Sequence, residues 1–178
     1  SLPLLLEKLE FFLPKYNGEY ELVFVNDGST DSTLELIKKL FVPKFKNVEI
    51  VTYTANKNLG VAVKEGIKKA RMDYTCIIDG DCSYDPIDIL GMMKHVKDYQ
   101  VISASAHHPQ AKFHFDLPWY RLMMSKGVVV LYDIVMFKHF NSYTSIFRVY
   151  ETSLLKSLDI KHNSFVAMTE MLIKCIYA

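Results

Sequence analysis

Short β-prone runs recur about every 25 residues along this chain, and a helix-patterned stretch fills each gap between them. The runs are "ELVFV" (Glu21–Val25), "VEIVTY" (Val48–Tyr53), "YTCIID" (Tyr74–Asp79) and "YQVISAS" (Tyr99–Ser105). All four are rich in the β-branched and aromatic residues that favour strands. Strand and helix in regular alternation is the pattern of a parallel, doubly wound α/β sheet.

The gaps carry their own signals. Leu2–Phe12 has apolar residues at helical spacing. Ser32 and Glu35 form a capping-box pattern that predicts a helix running to about Phe41. Gly60–Ala70 reads as a helix with a lysine-rich tail, and Pro86 opens another at its favoured first position. With 178 residues the chain suits one domain, residues 1–178, with a sizeable core. It opens directly on a helix whose Leu4–Leu6 need a sheet face, which predicts a first strand upstream of Ser1.

Composition removes several classes of function. Half of the residues are apolar and 23% are charged, a globular balance. A net charge of +1 offers no bulk attraction for nucleic acid. The three cysteines lack zinc-site spacing, and their odd number fits a reduced, cytosolic setting better than a disulfide framework. The longest apolar stretch, "GVVVLYDIVMF", is about half of what a bilayer span needs, and Asp133 interrupts it.

The chemistry gathers where strands end. "NDGSTD" follows the first run, and "DGDCSYD" closes the third. In open α/β sheets ligands bind beyond the carboxyl ends of the strands, so Asp27, Asp79 and Asp81 can meet in one crevice. Two carboxylates one residue apart suit Mg²⁺ or Mn²⁺ shared with a diphosphate. Gly80 between them lets a ligand approach the backbone. A calcium loop starting at Asp79 is excluded, because its sixth position is Tyr84 rather than Gly and its twelfth is Leu90 rather than Glu. The plainer alternative is a solvated turn whose aspartates cap the next helix.

Taken in order, "VFVNDGSTDSTLELI", "NKNLGVAVKEGIKKA" and "YTCIIDGDCSYDP" resemble the GT-A glycosyltransferases of family 2. "YTSIFRVYETSLLKSL" (Tyr143–Leu158) and "FVAMTEMLIK" are similar to the dolichyl- and polyprenyl-phosphate sugar transferases within it. The resemblance implies a GT-A, Rossmann-like fold: a mostly parallel sheet flanked by helices. It implies that Asp27 and Gly28 hold the nucleotide, with Asn58 and Gly60 beside it and Ala62 and Gly66 at neighbouring small positions. Asp79 would hold the ribose–diphosphate and share the metal with Asp81. Arg148 would face the acceptor phosphate or the reacting diphosphate, and Glu170 the acceptor side. The sequence also departs from the family's pattern. The Pro-Tyr-Asn-Glu segment before the first helix is absent, Ser83 stands where a glutamine ligand is common, and Ile146 replaces a glycine. "SAHHP" stands in for the usual Ser-Arg, and the chain stops at Ala178 before the family's closing basic segment.

Each residue also has a plainer reading. Asn26 and Asp27 can simply shape a turn. Arg148 can be a surface arginine, and Glu170 an exposed helix glutamate. His107 and His108 are adjacent, so on a strand they face opposite ways and make poor joint metal ligands. Leu117–Phe140, with Trp119, Tyr120, Met123 and Met124 and flanked by Arg121, Lys126 and Lys138, reads either as core-covering helix or as a helix lying in a membrane interface.

The sequence therefore reads as an inverting, metal-dependent transferase moving sugar from a nucleotide-diphospho sugar to a polyprenyl phosphate, at the cytoplasmic face of a membrane or in the cytoplasm. A glycan hydroxyl as acceptor is the nearest alternative. A non-catalytic nucleotide-sugar-binding domain comes next, and a flavodoxin-like phosphoacceptor domain ranks last because it gives no reason for the Asp79–Asp81 pair.

Overall fold

The computed structural model describes residues 1–105, 119–136, 140 and 142–178. His107, His108 and Lys138 lie outside the described residues, as do the side chains of Trp119, Tyr120, Arg121 and Lys126. Among the described residues, five strands alternate with helices: α1 (Leu2–Phe12), β1 (Leu22–Asn26), α2 (Thr33–Leu40), β2 (Val48–Thr52), α3 (Leu59–Lys69), β3 (Tyr74–Ile77), α4 (Ile89–Met92), β4 (Val101–Ser103), α5 (Trp119–Met136), β5 (Arg148–Glu151), α6 (Thr152–Ser157) and α7 (Val166–Tyr177).

The four predicted strands are all present. β1 and β2 pair in parallel, from Leu22 opposite Val48 to Asn26 opposite Thr52, and α2 supplies the crossover that parallel neighbours require. The second sheet has the order β3-β5-β4. β5 runs antiparallel to both neighbours, so β3 and β4 are parallel to one another across it. β5 was not legible as a strand: it has four residues, and its first is a charged arginine.

Local chemistry explains the helix ends. Ser32 is the N-cap of α2, but it makes no capping bond, and its φ of −72° with ψ of 10° is not the extended geometry a cap uses. The expected capping box is replaced by Asp31, whose Oδ1 accepts from the Thr33 N–H at 3.0 Å. Pro86 opens a 3-10 turn that leads into α4, and Asp85 caps it by accepting from the Ile87 N–H at 3.1 Å.

The core is divided among the layers. Leu5, Leu6, Leu9 and Phe12 of α1 are buried with Ile37 and Phe41, against Leu22, Phe24 and Ile50; Leu4 points outward. Phe41 is wholly buried, and burying one such side chain contributes about 1.5–3 kcal/mol. α3 packs on β1 and also on α6 and α7, so it joins the two sheets. Gly60 makes this possible: a Cβ there would lie 2.6 Å from the Asn163 carbonyl carbon and 2.9 Å from the Ala167 Cβ. α5 rests on α7 through Val129, Tyr132 and Met136, which pack with Tyr143, Leu172, Ile173 and Ile176. Among the described residues no helix is long and apolar enough to cross a membrane.

Candidate functional site

The carboxyl end of β1 turns sharply. Gly28 adopts φ +70°, and the backbone of Ala55 and Asn56 comes so close that a Cβ would lie 2.4 Å from it. That approach lets the Oδ1 of Asp27 accept from the Lys57 N–H at 2.8 Å. Lys57 in turn places its Nζ 4.7 Å from the centre of the Tyr53 ring. Asn58 follows in the left-handed region at φ 73° and takes the N-cap position of α3, its carbonyl accepting from Val61 and Ala62. The expected nucleotide residues Asp27, Gly28, Asn58 and Gly60 thus occupy one run of turns between β1, β2 and α3.

Two polar atoms here are buried without a partner among the described residues: the Oδ1 of Asn26 and the hydroxyl of Tyr53. Asn26 donates through Nδ2 to the Thr52 Oγ1 at 3.1 Å. Burial raises the Tyr53 phenol above its ordinary value, and the charges of Glu65 and Asp27 add to the rise. Sequence reasoning did not single out Tyr53 or Lys57. The rule that found Asp27, a side chain just beyond a strand's carboxyl end, applies equally to Tyr53 after β2.

Beyond β3, Asp79 is half-buried and Asp81 is exposed. Burial, and then the negative charge of Asp81, push the Asp79 carboxyl up from its ordinary value. The turn holding them is locally fixed: Asp81 Oδ1 accepts from the Ser83 N–H at 2.8 Å, and Cys82 is held at φ 63° with its side chain buried. Tyr84 stacks on Phe147 at 5.0 Å and ties the turn to the segment before β5. Like charges kept together in this way suit a hard cation. Among the described residues no third His, Cys, Asp or Glu joins them, so two carboxylates are what these residues offer.

The other two expected site residues are differently placed. Arg148 begins β5, opposite Ile77 of β3 and Ser103 of β4, and it is wholly buried. Its Nε donates to Ser103 Oγ at 3.1 Å. Nη1 donates to the Tyr150 hydroxyl at 3.4 Å and to the Met168 carbonyl at 3.0 Å. Nη2 donates to the carbonyls of Ser142 at 3.2 Å and Tyr143 at 2.9 Å. A guanidinium has five N–H groups, and all are taken up. A phosphate contact would have to displace one of these bonds. Glu170, on α7, accepts from the N–H groups of Lys161 and His162, each at 2.9 Å, from His162 Nδ1 at 2.9 Å and from Lys174 Nζ at 2.7 Å. Burial opposes ionisation of Glu170, but the bonds from Lys174, His162 and Lys161 outweigh it and hold the carboxyl far below its ordinary value. Glu170 thereby holds the loop whose Asn163 carbonyl accepts from Gly60 at the start of α3.

Residues 2–158 match glycosyl transferase family 2. The chain belongs to that family. Over 161 residues this family 2 chain is 26% identical to a dolichol-phosphate mannosyltransferase of Pyrococcus furiosus, covering 89% of the chain and 45% of that relative. It is 32% identical over 93 residues to a dodecaprenyl-phosphate galacturonate synthase of Rhizobium johnstonii, covering 52% of the chain and 28% of the relative. It shares the fold of S. aureus TarS residues 1–349, with a TM-score of 0.63 and 21% identity over 96% of this chain and 50% of that one. The chain therefore spans half the length, or less, of the proteins it is compared with.

Proposed function

We propose that the chain belongs to an inverting, metal-dependent glycosyltransferase that moves a sugar from a nucleotide-diphospho sugar to a polyprenyl phosphate. The observation that carries this reading is the Asp79–Asp81 pair, two carboxylates held together at a strand end, with the Asp79 carboxyl raised first by its burial and then by the charge of Asp81. The names of the Pyrococcus and Rhizobium relatives supply the acceptor class.

In this reading Asp27, Gly28, Asn58 and Gly60 would receive the nucleoside, and Asp79 and Asp81 would hold Mg²⁺ or Mn²⁺. When bound, the cation neutralises the charge that grows on the departing diphosphate. An acceptor phosphate oxygen attacks the anomeric carbon, and the bond to the diphosphate breaks with its electron pair on the leaving oxygen. One displacement inverts the anomeric centre. A phosphate acceptor is already ionised near neutral pH and needs no strong base, whereas a sugar hydroxyl needs one. Glu170 is held ionised by four hydrogen bonds and is a weak base, which favours the phosphate.

The outer face of α5 supports a membrane-borne acceptor. Met123, Met124, Leu131, Ile134 and Val135 are each more than 60% exposed. An apolar helix face of this kind fits an interfacial position at the cytoplasmic surface of a membrane. The test uses the intact protein with nucleotide sugars and polyprenyl phosphate in vesicles, with and without Mn²⁺. Lipid-linked sugar should form, and Asp81→Asn should abolish its Mn²⁺ dependence while the protein stays folded. Transfer to soluble saccharides alone, or Mn²⁺ dependence unchanged in the variant, would overturn the reading.

A further inference from the structure

Arg148 raises a question that phosphate binding does not answer. It is a fully buried cation, and its five acceptors are three carbonyls and two hydroxyls, all neutral. Burying a charge is costly unless every donor is satisfied. Here they are, and the acceptors come from four separate places: β4, β5, α7 and the segment at Ser142 and Tyr143. Arg148 is therefore a clamp. The first three are strands and a helix already held by pairing and packing. The fourth, the segment just before β5, is held mainly from inside.

What that segment carries is α5. The Tyr143 hydroxyl donates to the Oδ1 of Asp133 on α5 at 2.8 Å. The Tyr143 ring stacks on Tyr132 at 4.8 Å and meets Phe140 edge-on at 5.8 Å. The same Asp133 oxygen accepts from the Phe140 N–H at 3.3 Å and so closes the end of the helix onto the segment. Tyr143 is only 1% exposed, so both its carbonyl and its hydroxyl are fixed from within: the first by Arg148 and Thr169, the second by Asp133. Asp133, which interrupts the longest apolar run of the sequence, has its reason here.

We propose that Tyr143 and Arg148 are positioning residues that seat α5 on the catalytic domain through Asp133. Resting on the transferase reading, this sets how the acceptor-facing helix stands relative to the Asp79–Asp81 turn, and leaves nucleoside binding to the turns of the β1–β2 sheet. The relay is Arg148 to the Tyr143 carbonyl, Tyr143 hydroxyl to Asp133, and Asp133 to the body of α5.

The test is amide hydrogen exchange across the full chain, paired with steady-state kinetics on vesicles containing polyprenyl phosphate. Arg148→Lys keeps the charge but not five donors, and it can fail to fold, so Tyr143→Phe is the deciding variant. It keeps the ring stack and deletes one hydrogen bond to a charged group. Exchange across residues 119–136 should accelerate about tenfold, with β1 and α3 unchanged. KM for polyprenyl phosphate should rise several-fold, with KM for the nucleotide sugar unmoved. Asp133→Asn retains an oxygen for the hydroxyl and should stay close to the parent protein, whereas Asp133→Leu, which also removes the acceptor of the Phe140 N–H, should accelerate exchange in α5 at least as much as Tyr143→Phe. Unchanged exchange in α5, or acceleration spread evenly over the chain, overturns the proposal. If α5 loosens but no lipid-linked product forms in any variant or in the parent, the seating stands and the acceptor assignment falls.

Discussion

The turns after β1 and β3 and the buried network around β5 and α7 both carry charged residues from family motifs, yet their polar groups are treated in opposite ways. At the strand ends, Asp79 is held beside Asp81 with its carboxyl raised, and Asn26 Oδ1 and the Tyr53 hydroxyl lack partners among the described residues. Around β5 and α7 the capacity is filled: five donors of Arg148 and four bonds into Glu170. Unsatisfied groups have something to give a ligand, while satisfied ones hold the fold. Under the proposed function, the contrast separates the residues offered to a substrate from those that shape where it would be met.

The contrast breaks most visibly at Arg148. Arg148→Met should fit the space but take a donor away from each of five acceptors inside the protein, of which the Tyr143 carbonyl keeps the Thr169 hydroxyl. The expected loss is at least about 3 kcal/mol, read as a lower urea midpoint with or without nucleotide. A variant that is fully stable but unable to transfer sugar would move Arg148 from the architecture to the reaction.

Glu170 provides a second, pH-dependent break. Its folded pKa lies below the ordinary 4.5, so its stabilisation is fully present above that value and is lost as pH falls through the folded pKa. Glu170→Gln should cost about 2 kcal/mol near neutral pH, where the carboxylate accepts from two backbone N–H groups, His162 and Lys174. The gap in melting temperature between the parent and the variant should narrow steadily on acidification below pH 4.5. A gap that does not depend on pH would show that the ionised form contributes nothing.

These two residues mark the limit of what could be read from sequence. The alternation of strands and helices was legible because runs of β-branched and aromatic residues and helix-patterned stretches recur at a regular spacing. Asp27, Asp79 and Asp81 were legible because a strand's end can be seen in one dimension. Whether a charge is free or taken up cannot be seen that way. The carbonyl that Arg148 meets on α7 belongs to Met168, 20 residues away and within an apolar helix that gives no polar signal. The shift from Ser32 to Asp31 as the working cap of α2 is a smaller case, because either side chain fits the sequence rule and only backbone angles decide.

On the donor side, the comparison sharpens at Asp27. One of its oxygens takes the Lys57 N–H, and the residue lies beside the Gly28 turn, not inside the core. Asp27→Ala should weaken nucleoside diphosphate binding by about 1.5–3 kcal/mol in calorimetry, the usual range for a hydrogen bond to a charged group. Folding stability should change far less. Equal affinity would reduce Asp27 to a turn former that orients the Lys57 backbone.

The smallest effect is expected at Tyr53, and its sign is what matters. The phenolic oxygen is buried without a partner among the described residues, while Lys57 Nζ lies over the ring and the charges of Glu65 and Asp27 act on the hydroxyl. A buried hydroxyl that makes no bond costs desolvation and returns nothing. Tyr53→Phe keeps the ring under Lys57 and removes that cost. Stability should be unchanged or rise by up to about 1 kcal/mol in urea melts, the reverse of what deleting a bonded hydroxyl does. Nucleoside diphosphate affinity, measured on the same samples, separates two explanations of the orphan. If affinity is unchanged, the hydroxyl is a passive defect at the end of β2. If affinity falls while stability rises, the hydroxyl is held in reserve for the nucleotide, and the strand-end turns then trade stability for binding where the Arg148 network does not.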